Sequence, residues 1–335
     1  MNSTTYTLEP AERKKYLALV ESHYKQLETF PLHFAELERL TAPEHPTQKF
    51  QKRISVAVEM DGVFLAHCTI MIDQREQPGI GWFGFFECPH DQAVFENLWG
   101  RVVQESKAMG IKILRGPING TMWYPYRFAL TDSSSIPPFQ GELLCEDYYC
   151  QFFQNFPTKQ EVSYYSAMRE NFDDIIRITK PFYEDMQANS SLHLETLTEV
   201  STDVLREICT VARKVFQSSW GYVPLSDEEL LSYYSQEKLK ETLFRAYILR
   251  NADTLVGFGT VFREDDTLIL KTLALEPSFQ GKGLGNALIH KIHSDAEGKC
   301  TRMIYALIRF ENNVKRLPKD GAVVFREYSA FDISQ

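Results

Sequence analysis

Apolar and polar positions along the chain repeat one order of elements twice. In the first half, Ile54, Val56 and Val58 alternate with Ser55, Ala57 and Glu59, the period of a strand with one apolar face. Asp61-Gly62 is a hairpin signal, and Val63 to Ile72 and Ile80 to Phe86 follow as apolar strands. The period then lengthens: Phe95, Leu98, Trp99, Val102 and Val103 mark one face of a helix that ends at Gly110, and Ile111-Lys112-Ile113-Leu114 returns to strand. In the second half, Leu243 to Leu249 and Thr254 to Phe262 read as strands joined by the turn Arg250-Asn251-Ala252-Asp253. After a solvated turn at Glu264-Asp265-Asp266 come the strand Leu268 to Leu275, a helix carrying Leu284, Leu288 and Ile292, and the strand Met303 to Phe310.

Each half therefore predicts antiparallel strands, a crossover helix and a parallel strand, an α/β (α+β) class with a mixed, mostly antiparallel sheet flanked by helices. Asn171-Phe172-Asp173-Asp174 and Gln187-Ala188-Asn189-Ser190-Ser191 are polar and turn-prone, which places a linker at 171–191 between domains 1–170 and 192–335. A length of 335 residues suits two domains. No apolar run reaches the roughly 18 residues of a membrane span, and the start lacks the basic and apolar regions of a signal peptide, so the expectation is a cytoplasmic protein without membrane contact. Six scattered cysteines, without metal-ligand spacing, predict reduced, buried thiols and no metal site. His290 and His293 share helical spacing without partner ligands and predict a solvated helix face.

Between the strand ending at Leu275 and the next helix lies Gln280-Gly281-Lys282-Gly283-Leu284-Gly285. Glycines allow a tight turn whose amides approach an anion, and the helix start adds unpaired donors and the positive end of its dipole. The formal net charge is −9, which argues against a nucleic-acid footprint, yet residues 267–335 are the most basic stretch, as a ligand with several phosphates favours. No Gly-Lys-Ser/Thr follows and the spacing is not Gly-x-Gly-x-x-Gly, which disfavours nucleotide hydrolysis and NAD chemistry. At the same place the first half reads Glu87-Cys88-Pro89-His90-Asp91. Asp91 is a natural N-cap that would take the free amides with its own carboxylate and repel phosphate, so the first half is not expected to hold such a ligand.

The stretch Leu273-Ala274-Leu275-Glu276-Pro277-Ser278-Phe279-Gln280-Gly281-Lys282-Gly283-Leu284-Gly285 resembles the acyl-CoA signature of the GNAT acyltransferases. The resemblance covers residues 192–335 in detail and 45–170 at the level of fold. Gly84-Phe85-Phe86-Glu87, Gly116-Pro117-Ile118-Asn119-Gly120, Trp220-Gly221-Tyr222-Val223-Pro224-Leu225, Ala306-Leu307-Ile308 and Asn312 are similar to bacterial tandem GNAT-like proteins. It implies two tandem GNAT-like domains, the N-terminal copy degenerate, and an acyl-CoA-dependent N-acyltransferase with acetyl-CoA as default donor.

In that reading Leu273, Ala274 and Leu275 pair with the pantetheine amides, the Leu275 backbone N–H serves as oxyanion donor, and Gln280, Gly281, Lys282, Gly283, Leu284 and Gly285 hold the pyrophosphate. Asn312 stands where the family often contacts the coenzyme, or caps a helix, and Trp220 and Tyr222 are candidates for the wall around a small-molecule amine acceptor. The chain departs from the family where a tyrosine acid is usual, at Arg316-Leu317-Pro318, which leaves Tyr305 and Tyr328 as substitutes. Ser226 with Glu229 reads as a capping box. Two alternatives stay open: a non-catalytic acyl-CoA-binding or interaction protein, and an aminoacyl-tRNA-dependent transferase. Oligomeric state is not legible.

Overall fold

The computed structural model describes residues 2–6, 10–132, 135–154, 156–311 and 321–335. Its elements are β1 (Asn2–Tyr6), α1 (Pro10–Tyr24), α2 (Phe30–Thr41), β2 (Gln51–Met60), β3 (Val63–Asp73), β4 (Ile80–Glu87), α3 (Gln92–Ala108), β5 (Ile113–Gly116), β6 (Phe128–Asp132), α4 (Tyr149–Phe153), β7 (Thr158–Arg169), α5 (Asp173–Ala188), β8 (Leu192–Leu197), α6 (Thr202–Phe216), α7 (Asp227–Tyr233), α8 (Gln236–Thr242), β9 (Leu243–Asn251), β10 (Thr254–Glu264), β11 (Thr267–Leu275), α9 (Leu284–Ala296), β12 (Arg302–Arg309) and β13 (Val323–Ser334). They form two compact units. The first holds residues 1–163, 220–223 and 326–335, and the second holds 164–219 and 224–325.

In the first unit β1, β2, β3 and β4 pair antiparallel in that order, and β5 lies parallel to β4. The β2–β3 turn has Asp61 and Gly62 at φ 52° and 81°, the pair of positive values that a two-residue hairpin with right-twisted strands demands. Helix α3 carries the chain from β4 to β5 and buries Val94, Phe95, Leu98, Trp99 and Val102, the stripe that its apolar spacing predicts. Phe83, Phe86, Phe128 and Phe153 complete an aromatic core, with the Phe95 and Phe152 rings stacked at 4.4 Å. Beside β5 lies the far end of the chain: Phe331 to Ser334 of β13 pair antiparallel with β5, and Phe331 and Ile333 enter this core.

The second unit repeats the order. Strands β8, β9, β10 and β11 are antiparallel, α9 crosses over, and β12 runs parallel to β11. Strand β10 is buried without interruption from Leu255 to Phe262, the pattern of a strand covered on both faces. Helix α6 packs on β10 and β11 and buries Leu205, Ile208 and Ala212, with Ser201 as its side-chain N-cap. Ser226 and Glu229 form the expected capping box of α7. Here the strand beyond β12 comes from the middle of the chain, because Tyr164–Arg169 of β7 pairs antiparallel with β12.

The boundaries differ from the expected 1–170 and 192–335. The expected linker at 171–191 is largely α5, whose Phe172, Ile175 and Met186 lie in the second unit's core. Polar residues at both ends of α5 resemble a linker, but its apolar residues fall at helical spacing and pack against α9. His290 and His293 are buried there rather than solvated. His290 donates from Nδ1 to the Ile176 carbonyl at 3.0 Å beneath the Tyr183 ring. All six cysteines are free; Cys68, Cys88, Cys150 and Cys209 are buried, and Cys145 and Cys300 are half-buried.

Candidate active site

The second unit opens where β11 and β12 part. Their parallel pairing runs from Thr267 opposite Arg302 to Leu270 opposite Tyr305 and goes no further. Both strands are irregular at that point. Lys271 is an extra residue on β11, since Val261 faces Leu270 while Thr260 faces Thr272, and β12 slips against β7 between Tyr305 and Ile308. Leu307 sits at φ 59°, a left-handed conformation costly for a residue with a branched side chain, and its N–H donates to Ser166 Oγ at 3.1 Å. Bulges bend strands, and these two irregularities stand where the pairing of β11 with β12 ends.

Register decides which β11 groups face the gap. Glu276 N–H donates to the Val256 carbonyl at 2.8 Å, so Glu276 and Val256 are a hydrogen-bonded pair, and so, two steps along, are Ala274 and Phe258. Leu273 and Leu275 alternate with them and turn their amides to the side that β12 vacates. Ala274 itself is committed to the sheet. The Leu275 carbonyl, also on the open side, accepts from Gln280 Nε2 at 2.9 Å. Gln280 thus ties the glycine turn back to the strand end.

The turn is built as the sequence requires. Pro277–Phe279 forms one 3-10 turn, Gly281 and Gly283 have φ of 72° and 78°, and α9 begins at Leu284. Gly283 is the N-cap and offers no side chain; the first intrahelical bond to it runs from Ala287 N–H at 3.0 Å. Among the described residues the amides of Leu284, Gly285 and Asn286 therefore have no capping acceptor, while Gln280, Gly281 and Lys282 are exposed. A Cβ at position 283 would stand 2.6 Å from the Phe182 ring, so position 283 excludes a side chain both by φ and by space. The Lys282 ammonium lies 5.2 Å from the centre of the Phe279 ring.

The same place in the first unit is closed. Pairing of β4 with β5 stops at Trp82 opposite Arg115, but the following segment folds back into the gap. Ile118 N–H donates to the Phe83 carbonyl at 2.8 Å, and the Phe85 N–H, on a residue at φ 48°, donates to Asn119 Oδ1 at 2.6 Å. Backbones approach so closely that a Cβ at Gly84 would meet the Ile118 carbonyl at 2.0 Å, and one at Gly116 would meet the Phe83 carbonyl at 2.4 Å. At the helix start, Asp91 accepts from Ala93 N–H at 2.9 Å and Val94 N–H at 3.1 Å, as its sequence position predicts. The plug by Asn119 was not foreseen; glycines inside otherwise apolar strands were its available signal.

The remaining candidates are placed as follows. Tyr305 is 1% exposed; its hydroxyl donates to His293 Nε2 at 2.6 Å and accepts from Arg169 Nε at 3.1 Å. His293 Nδ1 donates to the Ile289 carbonyl at 2.7 Å, and burial lowers its pKa to about 4, which keeps the ring neutral and Nε2 an acceptor. Tyr305 is therefore a core group under α9 rather than an open acid, because its side of β12 faces the helix. Tyr328 is a core residue of the first unit, and its hydroxyl donates to Glu142, which also binds Arg326 at 2.6 Å. Trp220 and Tyr222 group with the first unit as well. Trp220 is buried there, with its indole N–H on Asp332 Oδ1 at 3.0 Å and the Arg115 guanidinium 5.2 Å from the ring centre. Tyr222 is half-buried. Asn312, like Arg316-Leu317-Pro318, lies outside the described residues.

Among the described residues no group of three or more His, Cys, Asp and Glu is arranged to hold a metal ion, and no helix is long and apolar enough to cross a membrane.

Comparison with known proteins agrees with this geometry. Residues 208–317 match the Acetyltransferase (GNAT) family. No curated protein matches the chain. Among solved structures, a tandem GNAT protein from the clavulanic acid biosynthesis pathway is 10% identical with a TM-score of 0.58, covering 99% of this chain and 98% of its own. A conserved protein of unknown function from Enterococcus faecalis V583, described as a probable N-acyltransferase, is 13% identical with a TM-score of 0.58, over 100% of this chain and 73% of its own. A GCN5-related N-acetyltransferase from Anabaena variabilis ATCC 29413 is 10% identical with a TM-score of 0.57, over 99% of this chain and 73% of its own. At these identities the likeness is one of fold. Residues 208–317 thus carry the match to the Acetyltransferase (GNAT) family, and the chain as a whole shares the fold of solved structures that include a tandem GNAT protein.

Proposed function

We propose that the second unit transfers an acyl group, acetyl by default, from a CoA thioester to an amine of a small molecule by direct attack. The observation that carries this reading is the uncapped start of α9 behind two left-handed glycines, set at the end of a strand whose amides face a gap. The pyrophosphate binds the amides of the turn and of Leu284, Gly285 and Asn286, with Lys282 as an added charge. Pantetheine extends along Leu273 to Leu275 as an added strand edge. The amine attacks the thioester carbonyl, the Leu275 N–H stabilises the oxyanion, and collapse breaks the carbon–sulfur bond, the attacking nitrogen giving its proton through solvent to the departing thiolate so that an amide and CoA thiol result. Hydrogen bonds to such a donor contribute about 2.7–4 kcal/mol to acyl transfer where they have been removed by mutation.

A second reading, binding of acyl-CoA without catalysis, is favoured by one observation: the Tyr305 and Tyr328 hydroxyls are committed to buried partners. One experiment separates the two. Calorimetry with acetyl-CoA, followed by thiol detection of released CoA over a panel of amines, amino acids and amino sugars, gives binding and turnover on the first reading. Binding without release on any acceptor favours the second, and absence of binding sinks both.

A further inference from the structure

Beside the glycine turn, still within the second unit, is a cavity of about 210 Å3 bordered by Phe182, Asp185, Asn189, Asn251, Phe279 and Lys282. We propose that this cavity seats the purine of the coenzyme, an adenine-type base lying against Phe182 with its amino group toward Asp185. The proposal rests on the coenzyme reading above and adds to it a base-recognition role for α5.

Size is the first argument. Sites that enclose a whole drug-sized ligand measure about 300–1,000 Å3, so this cavity suits one flat ring system and not the full coenzyme. Its walls are the second. Phe182 is a large apolar side chain left 37% exposed, held in place by close packing on Gly283, and Phe279 stands half-buried under Lys282. An aromatic face fixed beside an anion cradle is the arrangement on which a base stacks.

Polarity is the third argument, and it gives the base a direction. Helices α5 and α9 run antiparallel: Phe172 packs on His293, Tyr183 on His290, and Phe182 on Gly283. The carbonyl end of α5 thus meets the amide end of α9. Lys282 and the α9 amides make one side of the cavity positive, while Asp185 and the α5 carbonyl end make the other negative. A phosphate belongs to the first side, and an exocyclic amine, which donates, to the second. A base with a carbonyl oxygen in that position would face Asp185 with like polarity. Asn189 supports the direction: its Oδ1 already accepts from Ser191 N–H at 3.1 Å and Ser191 Oγ at 2.6 Å, which leaves its amide nitrogen to donate to a ring nitrogen.

The test titrates the full-length protein with acetyl-CoA and with acetyl-4′-phosphopantetheine, which lacks the base. Phe182→Ala should weaken acetyl-CoA about tenfold, the range of one base–aromatic stack, and leave acetyl-phosphopantetheine unchanged; Phe182→Trp should keep wild-type affinity. Asp185→Asn should weaken acetyl-CoA by a smaller factor, with melting curves checking that each variant is folded. Equal affinity of the wild type for both compounds, or an equal loss for both in Phe182→Ala, overturns the base seat while the acyl-transfer reading stands. Failure of the wild type to bind either compound overturns both.

Discussion

The starts of α3 and α9 are the same point of one fold in two chemical states. After β4, a carboxylate caps the helix and Asn119 takes the amide of the bulged strand, so the first unit spends its donors on itself. After β11, glycine stands at the cap, and the pairing of β11 with β12 ends at Leu270 opposite Tyr305 with no described residue between the strands beyond it. A handful of residues thus separates a surface poised for an anion from a self-satisfied one, without any change in the order of elements. The fold supplies a helix start aimed at a strand gap; local side chains decide whether a ligand can use it.

The contrast can be broken most severely at position 283. Gly283→Glu places a Cβ against Phe182 at an unfavourable φ and a carboxylate before the free amides, copying the state of Asp91. Acetyl-CoA affinity measured by calorimetry should fall more than about a hundredfold, or about 2.7 kcal/mol. Retained affinity would mean that the turn is not the anion site. Asp91→Gly should not confer binding on the first unit, since Asn119 still fills its gap.

Acid should sharpen the comparison next. Burial lowers His293 in the second unit and His67 in the first to about 4. Between that value and the usual 6.5 the unfolded chain binds the proton and the folded one does not, so stability is full above pH 6.5 and falls as pH drops toward 4. Each imidazole should cost its unit about 2 kcal/mol between pH 7 and pH 5. Hydrogen exchange read separately for the two units should show both losses, and His293→Gln should abolish the second alone. An unchanged pH slope in that variant would contradict a neutral His293.

The smallest effect is expected at the capped helix. Asp91→Ala removes two hydrogen bonds to the first turn of α3 and should cost about 1 kcal/mol, read as a lowered urea midpoint, with acetyl-CoA affinity untouched. A change in affinity would mean that the first unit takes part in coenzyme binding.

Much of this contrast was legible in the chain, because caps and glycine turns are local. Asp91, Ser226 with Glu229, and Gly281 with Gly283 each act through backbone within three residues, and the spacing of apolar residues dates the change from strand to helix. Neighbours distant in sequence were not legible. Alternation in β13 says which faces are apolar but not which strand lies alongside, so its pairing with β5 needed the structure. Tyr305 and Tyr328 likewise show hydroxyls to a reader of sequence, while His293, Arg169 and Glu142, which bind those hydroxyls, approach only in three dimensions. Helix α5 was hidden by its polar ends and by Pro181, and Phe182 with it.

The placement of β13 has a consequence for biogenesis. Phe331 and Ile333 fill the core of a unit whose other large segment ends at residue 163. A ribosome adding roughly 5–20 residues per second needs roughly ten to thirty seconds to pass from there to β13. Throughout that interval the nascent first unit exposes the edge of β5, and translation of the second half must finish before the first can close.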